Sequence, residues 1–328
     1  MHVGQTNAVK PFEPLFPSGH LATIAGNFWS RPVSETRWPV SDVIYEPEPD
    51  AKLLVREQRP ESAKGEVILV HGLEGSSESG YMRSMAYALL ESGFAVHRYN
   101  MRGCGGSPWH PRANYHSGQS DDVLFVARKV KRAHGLAVFV VGFSLGGNMV
   151  LKMAGELGER GREAVEGVAA ACAPIDLAAS VRQIGAFQNT FYERRFVARL
   201  KDRVRSRNPT APDLFPLEHL PKVHSIWDFD DYYTARIFGF GTAANYYKTQ
   251  SSNQFLERIC VPTLLIHAQD DPMIPAASYD HPAFVVNPNL QLIRARRGGH
   301  LGFLARHQPR FWLDVVISGW LKTRLAGT

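Results

Sequence analysis

Short apolar runs alternate with amphipathic stretches along most of this chain. The apolar runs predict strands at residues 42–46, 53–58, 66–70, 95–99, 137–141, 167–172, 263–267 and 290–295. Helical spacing occurs at residues 81–91, 120–133, 145–157 and 308–325. Most of the strands are apolar at nearly every position, as strands buried on both faces are. The pattern therefore predicts the α/β class, with a mostly parallel central sheet flanked by helices.

The alternation stops between about residues 174 and 259, where helical patterns and many aromatic residues replace the strands. A helical insertion between one strand and the next βα unit predicts a lid over the core. Residues 1–40 are rich in Pro, Gly and aromatic residues, which predicts an irregular N-terminal arm wrapped on the body. We therefore expect a single domain over residues 1–328, with the arm at 1–40 and the lid at about 174–259.

The composition is that of an ordinary globular protein: 328 residues, 44% hydrophobic and 21% charged. No apolar run is long enough to span a bilayer, and the first ten residues lack a signal-peptide pattern, so we expect a cytoplasmic protein.

The three cysteines, Cys104, Cys172 and Cys260, are far apart and form no C-x-x-C pair. Neither a metal site nor a disulfide framework is predicted.

The formal net charge is +6, and much of the excess lies in the arginines and lysines between residues 182 and 207. Such a run is most often a solvated helix face. The functional alternatives are weak contact with an anionic membrane surface or binding of an anionic substrate. No nucleic-acid partner is expected, because no recognised binding module surrounds the run. The sequence predicts no particular oligomeric state.

The strongest candidate for chemistry is the G-x-S-x-G segment centred on Ser144, with Gly142 and Gly146 on either side. An apolar strand precedes the segment and a helical pattern follows it. A serine on so sharp a strand-to-helix turn has its hydroxyl raised above the strand ends, and the two glycines remove side chains that would clash there. We interpret Ser144 as a nucleophile. The alternative is a tight turn whose serine only caps the next helix.

A serine nucleophile needs a base, and the base needs an orienting carboxylate. His300 follows the glycine pair after the last predicted strand, where a loop can present an imidazole to the edge of the sheet. The carboxylate is either Asp270 or Asp271, which follow the preceding strand. Asp271 is favoured, because the residue before Pro272 begins a turn and can point back toward the sheet.

Two backbone amides are expected to bind the oxyanion that forms during acyl transfer. One is that of Leu145, at the start of the helix after the serine. The other is assigned to Leu73, in the glycine-containing loop after the strand at 66–70. His71 is expected to shape this loop by hydrogen bonding, and Arg102 to pair with a carboxylate such as Glu74.

Taken together, these motifs resemble the α/β-hydrolase subgroup that includes the bacterial YheT-like hydrolases, membrane-anchored phospholipase-like hydrolases and yeast ethyl-ester synthases/esterases. The segments that carry the resemblance are His71-Gly72-Leu73-Glu74-Gly75-Ser76-Ser77, Asn100-Met101-Arg102-Gly103-Cys104, Gly142-Phe143-Ser144-Leu145-Gly146-Gly147-Asn148, Pro11-Phe12 and Gly19-His20-Leu21-Ala22-Thr23-Ile24. The resemblance implies an α/β-hydrolase fold, a Ser144–Asp271–His300 triad and esterase or lipase-like activity on acyl esters.

The expected function is cleavage of small-molecule acyl esters through an acyl-enzyme, without a cofactor. One alternative is acyl transfer to an alcohol at the same site, and another is a non-catalytic binding protein with a hydrolase fold. The aromatic residues of the predicted lid are more typical of lid core than of a substrate wall. If some of them line a pocket, an apolar acyl chain is the expected guest.

Overall fold

The computed structural model describes residues 10–31, 33, 36–111 and 113–326. Residues 1–9, the first part of the predicted arm, lie outside the described residues. An eight-stranded sheet forms the centre of the fold, with the strand order β1-β2-β4-β3-β5-β6-β7-β8. The strands are β1 (Ser41–Glu48), β2 (Ala51–Gln58), β3 (Gly65–Val70), β4 (Phe94–Tyr99), β5 (Val138–Phe143), β6 (Gly167–Ala171), β7 (Thr263–Ala268) and β8 (Leu290–Ala295).

The sheet is mostly parallel, as predicted. β1 pairs antiparallel with β2, and β2 pairs antiparallel with β4. Every other pairing, from β4 through β3 and β5 to β8, is parallel. Every position of β3 to β7 is buried, which explains why these strands are apolar at almost every position. Because parallel strands end together, the loops after β3, β5, β7 and β8 meet at one edge of the sheet.

Helices cover both faces of the sheet. The described α-helices are α1 (Gly19–Phe28), α2 (Gly80–Glu91), α3 (Ser120–His134), α4 (Leu145–Leu157), α5 (Gly161–Ala164), α6 (Leu177–Ile184), α7 (Thr190–Arg207), α8 (Ile226–Phe229), α9 (Ala235–Ile237), α10 (Ala243–Gln250), α11 (Ala283–Val286) and α12 (Trp312–Leu325). Successive side chains of β3 point to opposite faces of the sheet. Val67 and Leu69 pack with α2 and α12 on one face. Ile68 and Val70 pack with α3 and α4 on the other face. Among the described helices, none has the length and apolar character needed to cross a bilayer.

The chain between β6 and β7 consists of helices α6 to α10, short helical turns and loops. The structure describes all residues of this part of the chain, and none of them belongs to a strand. We call it the β6–β7 segment (residues 172–262). Several of its side chains, including Leu200, Phe229 and Tyr246, are buried in the core cluster that also contains α3 and α4. The segment therefore packs on the same face of the sheet as those two helices.

The N-terminal part of the chain is more regular than expected. Instead of an irregular arm, residues 19–28 form the helix α1, in which Gly19, Ala22, Thr23 and Gly26 are buried. Sequence reasoning missed the helix because its contact face consists of small residues and its large apolar residues face outward. The last helix also begins later than the predicted residue 308, at Trp312, after a proline at position 309.

Candidate active site

Ser144 lies on the turn between β5 and α4, in a backbone conformation that is rare for a residue with a side chain (φ 50°, ψ −121°). A Cβ on Gly142 would lie 2.3 Å from the carbonyl oxygen of Gly146, and one on Gly146 would lie 2.4 Å from that of Val70. Only glycine fits at these two positions. The Ser144 side chain makes no capping hydrogen bond to α4, so the capping interpretation is wrong.

His300 lies in the loop after β8 and reaches both Ser144 and Asp271. Its Nε2 is 2.9 Å from the Ser144 Oγ, and its Nδ1 is 2.9 Å from the Asp271 Oδ2. Both distances are within the range in which a proton moves between a nucleophile, its base and an orienting carboxylate. The structure therefore brings together three predicted residues that are 127 and 29 positions apart in sequence (144 to 271, and 271 to 300).

The two neighbouring aspartates are used differently. Asp271 is buried, and its Oδ1 accepts hydrogen bonds from the amides of Met273 (2.8 Å) and Ile274 (3.1 Å), which leaves Oδ2 for His300. Burial raises the pKa of Asp271, but the charge and hydrogen bond of His300 outweigh burial and hold that pKa below its usual value. Asp270 instead accepts a hydrogen bond from the amide of Gly299 at 2.9 Å.

Leu73 and Leu145, the residues predicted to bind an oxyanion, line one cavity together with Ser144 and His300. Leu145 is the first residue of α4, so its amide lies at the positive end of that helix. Within the described parts of the chain, neither amide donates a hydrogen bond to a protein acceptor. Both amides are thus available to a ligand atom beside the serine.

The loop after β3 is held in shape by hydrogen bonds. His71 is completely buried, and burial lowers its pKa to about 4, so its ring is neutral. Its Nδ1 lies 2.7 Å from the carbonyl oxygen of Gly72, and its Nε2 accepts a hydrogen bond from the amide of Met101 at 3.1 Å. The amide of Gly72 donates to the hydroxyl of Tyr81 at 2.9 Å. These bonds orient the loop that carries Leu73.

Glu74, the next residue in this loop, pairs with the β6–β7 segment and not with Arg102 as expected. Its carboxylate forms an ion pair with Arg203 of α7 and accepts a hydrogen bond from Tyr115 at 3.2 Å. Arg102 pairs instead with Asp122 (2.6 Å) and Glu48. Glu74 has a positive φ of 54°, a backbone conformation that is unfavourable for glutamate, and its side chain is held there by this partly buried ion pair. Sequence reasoning missed Arg203 because it lies within a run of exposed basic residues.

Helix α1 supports the loop that carries His300. The hydroxyl of Thr23 accepts a hydrogen bond from the amide of His300 at 2.8 Å. A Cβ on Gly19 would lie 1.8 Å from the carbonyl oxygen of Asp270, and one on Gly299 would lie 2.2 Å from that of Gly19. The segment from Gly19 to Ile24, which was part of the sequence resemblance, therefore packs against the loops that carry Asp270 and His300. No local pattern in the sequence predicted the contact.

Ser144 and His300 lie between two cavities. The inner cavity is mainly apolar and lies between the sheet edge and the β6–β7 segment. Its apolar lining includes Leu177, Ile184, Leu200, Ile226, Phe229 and Ile274. The outer cleft is open to solvent and lies between α1, the loop after β3 and α7. Both side chains are thus accessible from two sides.

Two groups of side chains come within metal-ligating distance of one another in the described residues: Glu66, His97 and His134, and Cys172, His267 and Asp271. In the first group, both ring nitrogens of His97 already hydrogen-bond to glutamates. In the second, both oxygens of Asp271 are engaged by His300 and by backbone amides. His97 and Asp271 thus already use these atoms for protein partners.

Comparison with known proteins agrees with this architecture. A sequence profile of the alpha/beta hydrolase fold matches residues 66–306, which is more than half of the chain. The chain belongs to the α/β-hydrolase family. It is 32% identical over 318 residues to YheT of Escherichia coli, covering 94% of this chain and 92% of YheT, so the predicted YheT-like subgroup is confirmed.

Eukaryotic relatives are more distant and longer. The monoacylglycerol lipase of Saccharomyces cerevisiae is 29% identical, over 80% of this chain and 60% of its own length. Medium-chain fatty acid ethyl ester synthase/esterase 2 of the same yeast is 31% identical, over 73% of this chain and 58% of its own length. An esterase of Pyrococcus furiosus has the same fold, with a TM-score of 0.59 at 17% identity, covering 90% of this chain and 98% of the esterase.

Proposed function

We propose that this α/β-hydrolase is a serine esterase that cleaves carboxylic esters through an acyl-enzyme. The observation that supports this best is the pair of 2.9 Å contacts that His300 makes, one to Ser144 and the other to Asp271. Relatives that carry the names of a lipase and of an ethyl ester synthase/esterase support an ester as the substrate. The mainly apolar inner cavity favours an acyl chain as the group that is bound.

In the proposed reaction, the Oγ of Ser144 attacks the ester carbonyl carbon while its proton passes to the Nε2 of His300. Asp271 accepts a hydrogen bond from Nδ1–H, which fixes the tautomer and stabilises the imidazolium. The amides of Leu73 and Leu145 donate to the carbonyl oxygen as it becomes negative. The leaving alcohol takes the proton from His300, and water then releases the acid by the same route.

The two cavities divide the substrate between them in this proposal. The acyl chain lies in the inner cavity, and the alcohol leaves through the outer cleft. The β6–β7 segment then acts as the predicted lid, because Leu200 of α7 and Phe229 of α8 line the inner cavity. Arg203 is a positioning residue: through Glu74 it orients the loop that presents the Leu73 amide.

Labelling with a fluorophosphonate, combined with hydrolysis of a p-nitrophenyl ester, tests the proposal. We expect Ser144→Ala to lose the label and to lower kcat by a factor of about 10⁴ or more, because the nucleophile is removed. Ser92→Ala is the matched control, since Ser92 ends α2 outside both cavities and should keep the label and the activity. Undiminished labelling of Ser144→Ala would contradict the mechanism and favour a non-catalytic binding protein.

Acyl transfer is a second candidate reaction at the same site. One relative carries the name of an ethyl ester synthase as well as an esterase. The outer cleft is wide enough to admit an alcohol while the acyl chain occupies the inner cavity. Product partition between water and added ethanol distinguishes the two reactions: ethyl ester formation supports transfer, and its absence at high ethanol concentration excludes it.

A further inference from the structure

Helix α1 presents an apolar stripe to solvent at the mouth of the outer cleft. Leu21, Ile24 and Phe28 are spaced as i, i+3 and i+7, so they lie on one face of the helix. All three are exposed, and Phe28 is 74% exposed. The opposite face of the helix, with Ala22, Thr23 and Gly26, packs on the protein. The stripe is therefore an outward-facing apolar surface and not part of the core.

Aromatic residues of the β6–β7 segment extend this surface. Phe187 is 95% exposed and Phe191, at the start of α7, is 65% exposed. The aromatic residues of the predicted lid were interpreted as more typical of lid core than of a substrate wall, but Phe187 and Phe191 are not core residues. The stacked rings of His20 and Tyr192, 5.7 Å apart, hold α1 beside α7. Ile24, Phe28 and Phe191 line the same outer cleft, which ends at Ser144.

Basic residues lie directly beside these apolar side chains. Phe191, Arg195 and Arg199 follow one another at intervals of four residues along α7, and both arginines line the outer cleft. Arg194 is exposed next to them. Within the described residues, none of these three arginines makes an ion pair or a side-chain hydrogen bond. Glu78, an acidic residue of the cleft, is paired with Arg56 and Arg98.

We propose that this surface docks the protein on an anionic phospholipid bilayer. The surface, called here the rim patch, consists of Leu21, Ile24, Phe28, Phe187, Phe191, Arg194, Arg195 and Arg199. Exposed aromatic and aliphatic side chains enter the boundary between headgroups and acyl chains, and unpaired arginines bind the anionic headgroups. Docking in this orientation turns the mouth of the outer cleft toward the lipid. An apolar ester then reaches Ser144 without crossing water.

The charge of the patch decides between possible occupants. An isologous contact with a second copy would bring the unpaired arginines of the two copies together, which opposes association. A neutral lipid surface would leave those arginines without partners. An anionic bilayer satisfies both the apolar and the basic members of the patch. The docking proposal uses the proposed catalytic function only to explain why the cleft lies behind the patch.

Cosedimentation of the full chain with vesicles tests docking. Ser144→Ala is used throughout, so that the measurement does not depend on catalysis. One set of vesicles is phosphatidylcholine, and the other is an equal mixture of phosphatidylcholine and phosphatidylglycerol. We expect binding to the mixed vesicles only, and we expect that binding to weaken as salt is added.

The patch variant combines Phe187→Ser with Arg194→Gln, two exposed residues that do not line either cavity. We expect its affinity for the mixed vesicles to fall by about tenfold or more, since one membrane-facing ring and one cation are lost. The control variant combines Val285→Ser with Arg128→Gln, also exposed, on α11 and α3. We expect this control variant to bind the mixed vesicles as tightly as the protein with Ser144→Ala alone. With Ser144 restored, the patch variant should hydrolyse a soluble short-chain ester at the normal rate.

Three results would overturn the docking proposal. They are equal binding to both kinds of vesicle, binding to neither, and equal loss in the patch and control variants. Sedimentation velocity provides a further check. A dimer that the patch variant converts to a monomer would assign the surface to a second copy and overturn the proposal as well. Failure of the proposed catalytic function would appear separately, as ester hydrolysis that survives Ser144→Ala.

Discussion

Two adjacent carboxylates, Asp270 and Asp271, contact the same loop but different atoms of it. Asp271 reaches the imidazole of His300, and Asp270 reaches the backbone amide of Gly299. The two side chains therefore have different roles. Asp271 orients the imidazole of His300, whereas Asp270 supports the backbone of the loop that carries it. Only the first of these contacts acts on the ring that is proposed to carry the proton.

At this scale we expect Asp271→Asn to lower kcat by a factor of about 10³ to 10⁴, because an amide no longer holds the required tautomer or stabilises the imidazolium. Asp270→Asn is the matched control. Its side-chain oxygen still accepts the hydrogen bond from Gly299, so most activity should remain. Steady-state kinetics of both variants with one ester measures the difference. Equal losses in the two variants would contradict the assignment of Asp271.

At the scale of elements, a row of three ionisable side chains, Glu57, His97 and Glu66, connects the strands β2, β4 and β3. His97 of β4 is buried, with its Nδ1 3.0 Å from Glu57 of β2 and its Nε2 2.8 Å from Glu66 of β3. Burial lowers the pKa of His97, but the two glutamates outweigh burial and raise it above 6.5. Burial raises the pKa of each glutamate, but the hydrogen bond to His97 brings both below 4.5. These shifts favour a protonated His97 between two ionised glutamates.

The row should contribute most to stability between about pH 4.5 and 6.5, where His97 is protonated and both glutamates are ionised. The contribution of His97 is lost as the pH rises through its raised pKa, and that of the glutamates is lost as the pH falls through their lowered pKa values. We expect His97→Gln to reduce the free energy of unfolding more at about pH 5.5 than at about pH 9, by about 1 kcal/mol.

Urea unfolding of the wild type and the variant at both pH values measures this difference. His224→Gln, at an exposed histidine, is the matched control and should show no such dependence on pH. A loss that is equal at the two pH values, or larger at about pH 9, would mean that the row is not charged in the folded protein.

On the scale of the whole molecule, the inner cavity exists because the β6–β7 segment packs over the loops at the sheet edge. Its walls come from parts of the chain that are far apart, including Leu145 of α4, Ile184 of α6 and Ile274 after β7. Ser144 lies at the point where this cavity meets the outer cleft. The space on the inner side should therefore limit the length of acyl chain that is accepted.

Filling the inner cavity should shift the preferred chain length. We expect Ile184→Trp to lower kcat/KM for an octanoyl p-nitrophenyl ester by about tenfold or more, with little change for the acetyl ester. Gln183→Trp is the control, since Gln183 is on the same helix but does not line the cavity. An equal change for both esters in Ile184→Trp would show that the acyl chain lies elsewhere.

The sequence by itself determined the α/β class, the approximate positions of the eight strands and the turn that carries Ser144. The class and the strands follow from the spacing of apolar residues, and the turn follows from the glycines on either side of the serine. Both are local properties of the chain, so a short stretch of sequence is enough to recognise them. The candidate base and nucleophile were also predictable, since each follows a strand and the ends of parallel strands meet at one edge.

Only the tertiary structure decided the contacts between distant positions. The bond from His300 to Thr23 joins residues 277 apart, and the ion pair of Glu74 with Arg203 joins the loop after β3 to α7. It also decided that Phe187 and Phe191 face solvent and that α1 packs against the His300 loop. The physical reason is that composition and spacing describe what a side chain is able to contact, whereas its actual partner depends on where the rest of the chain packs.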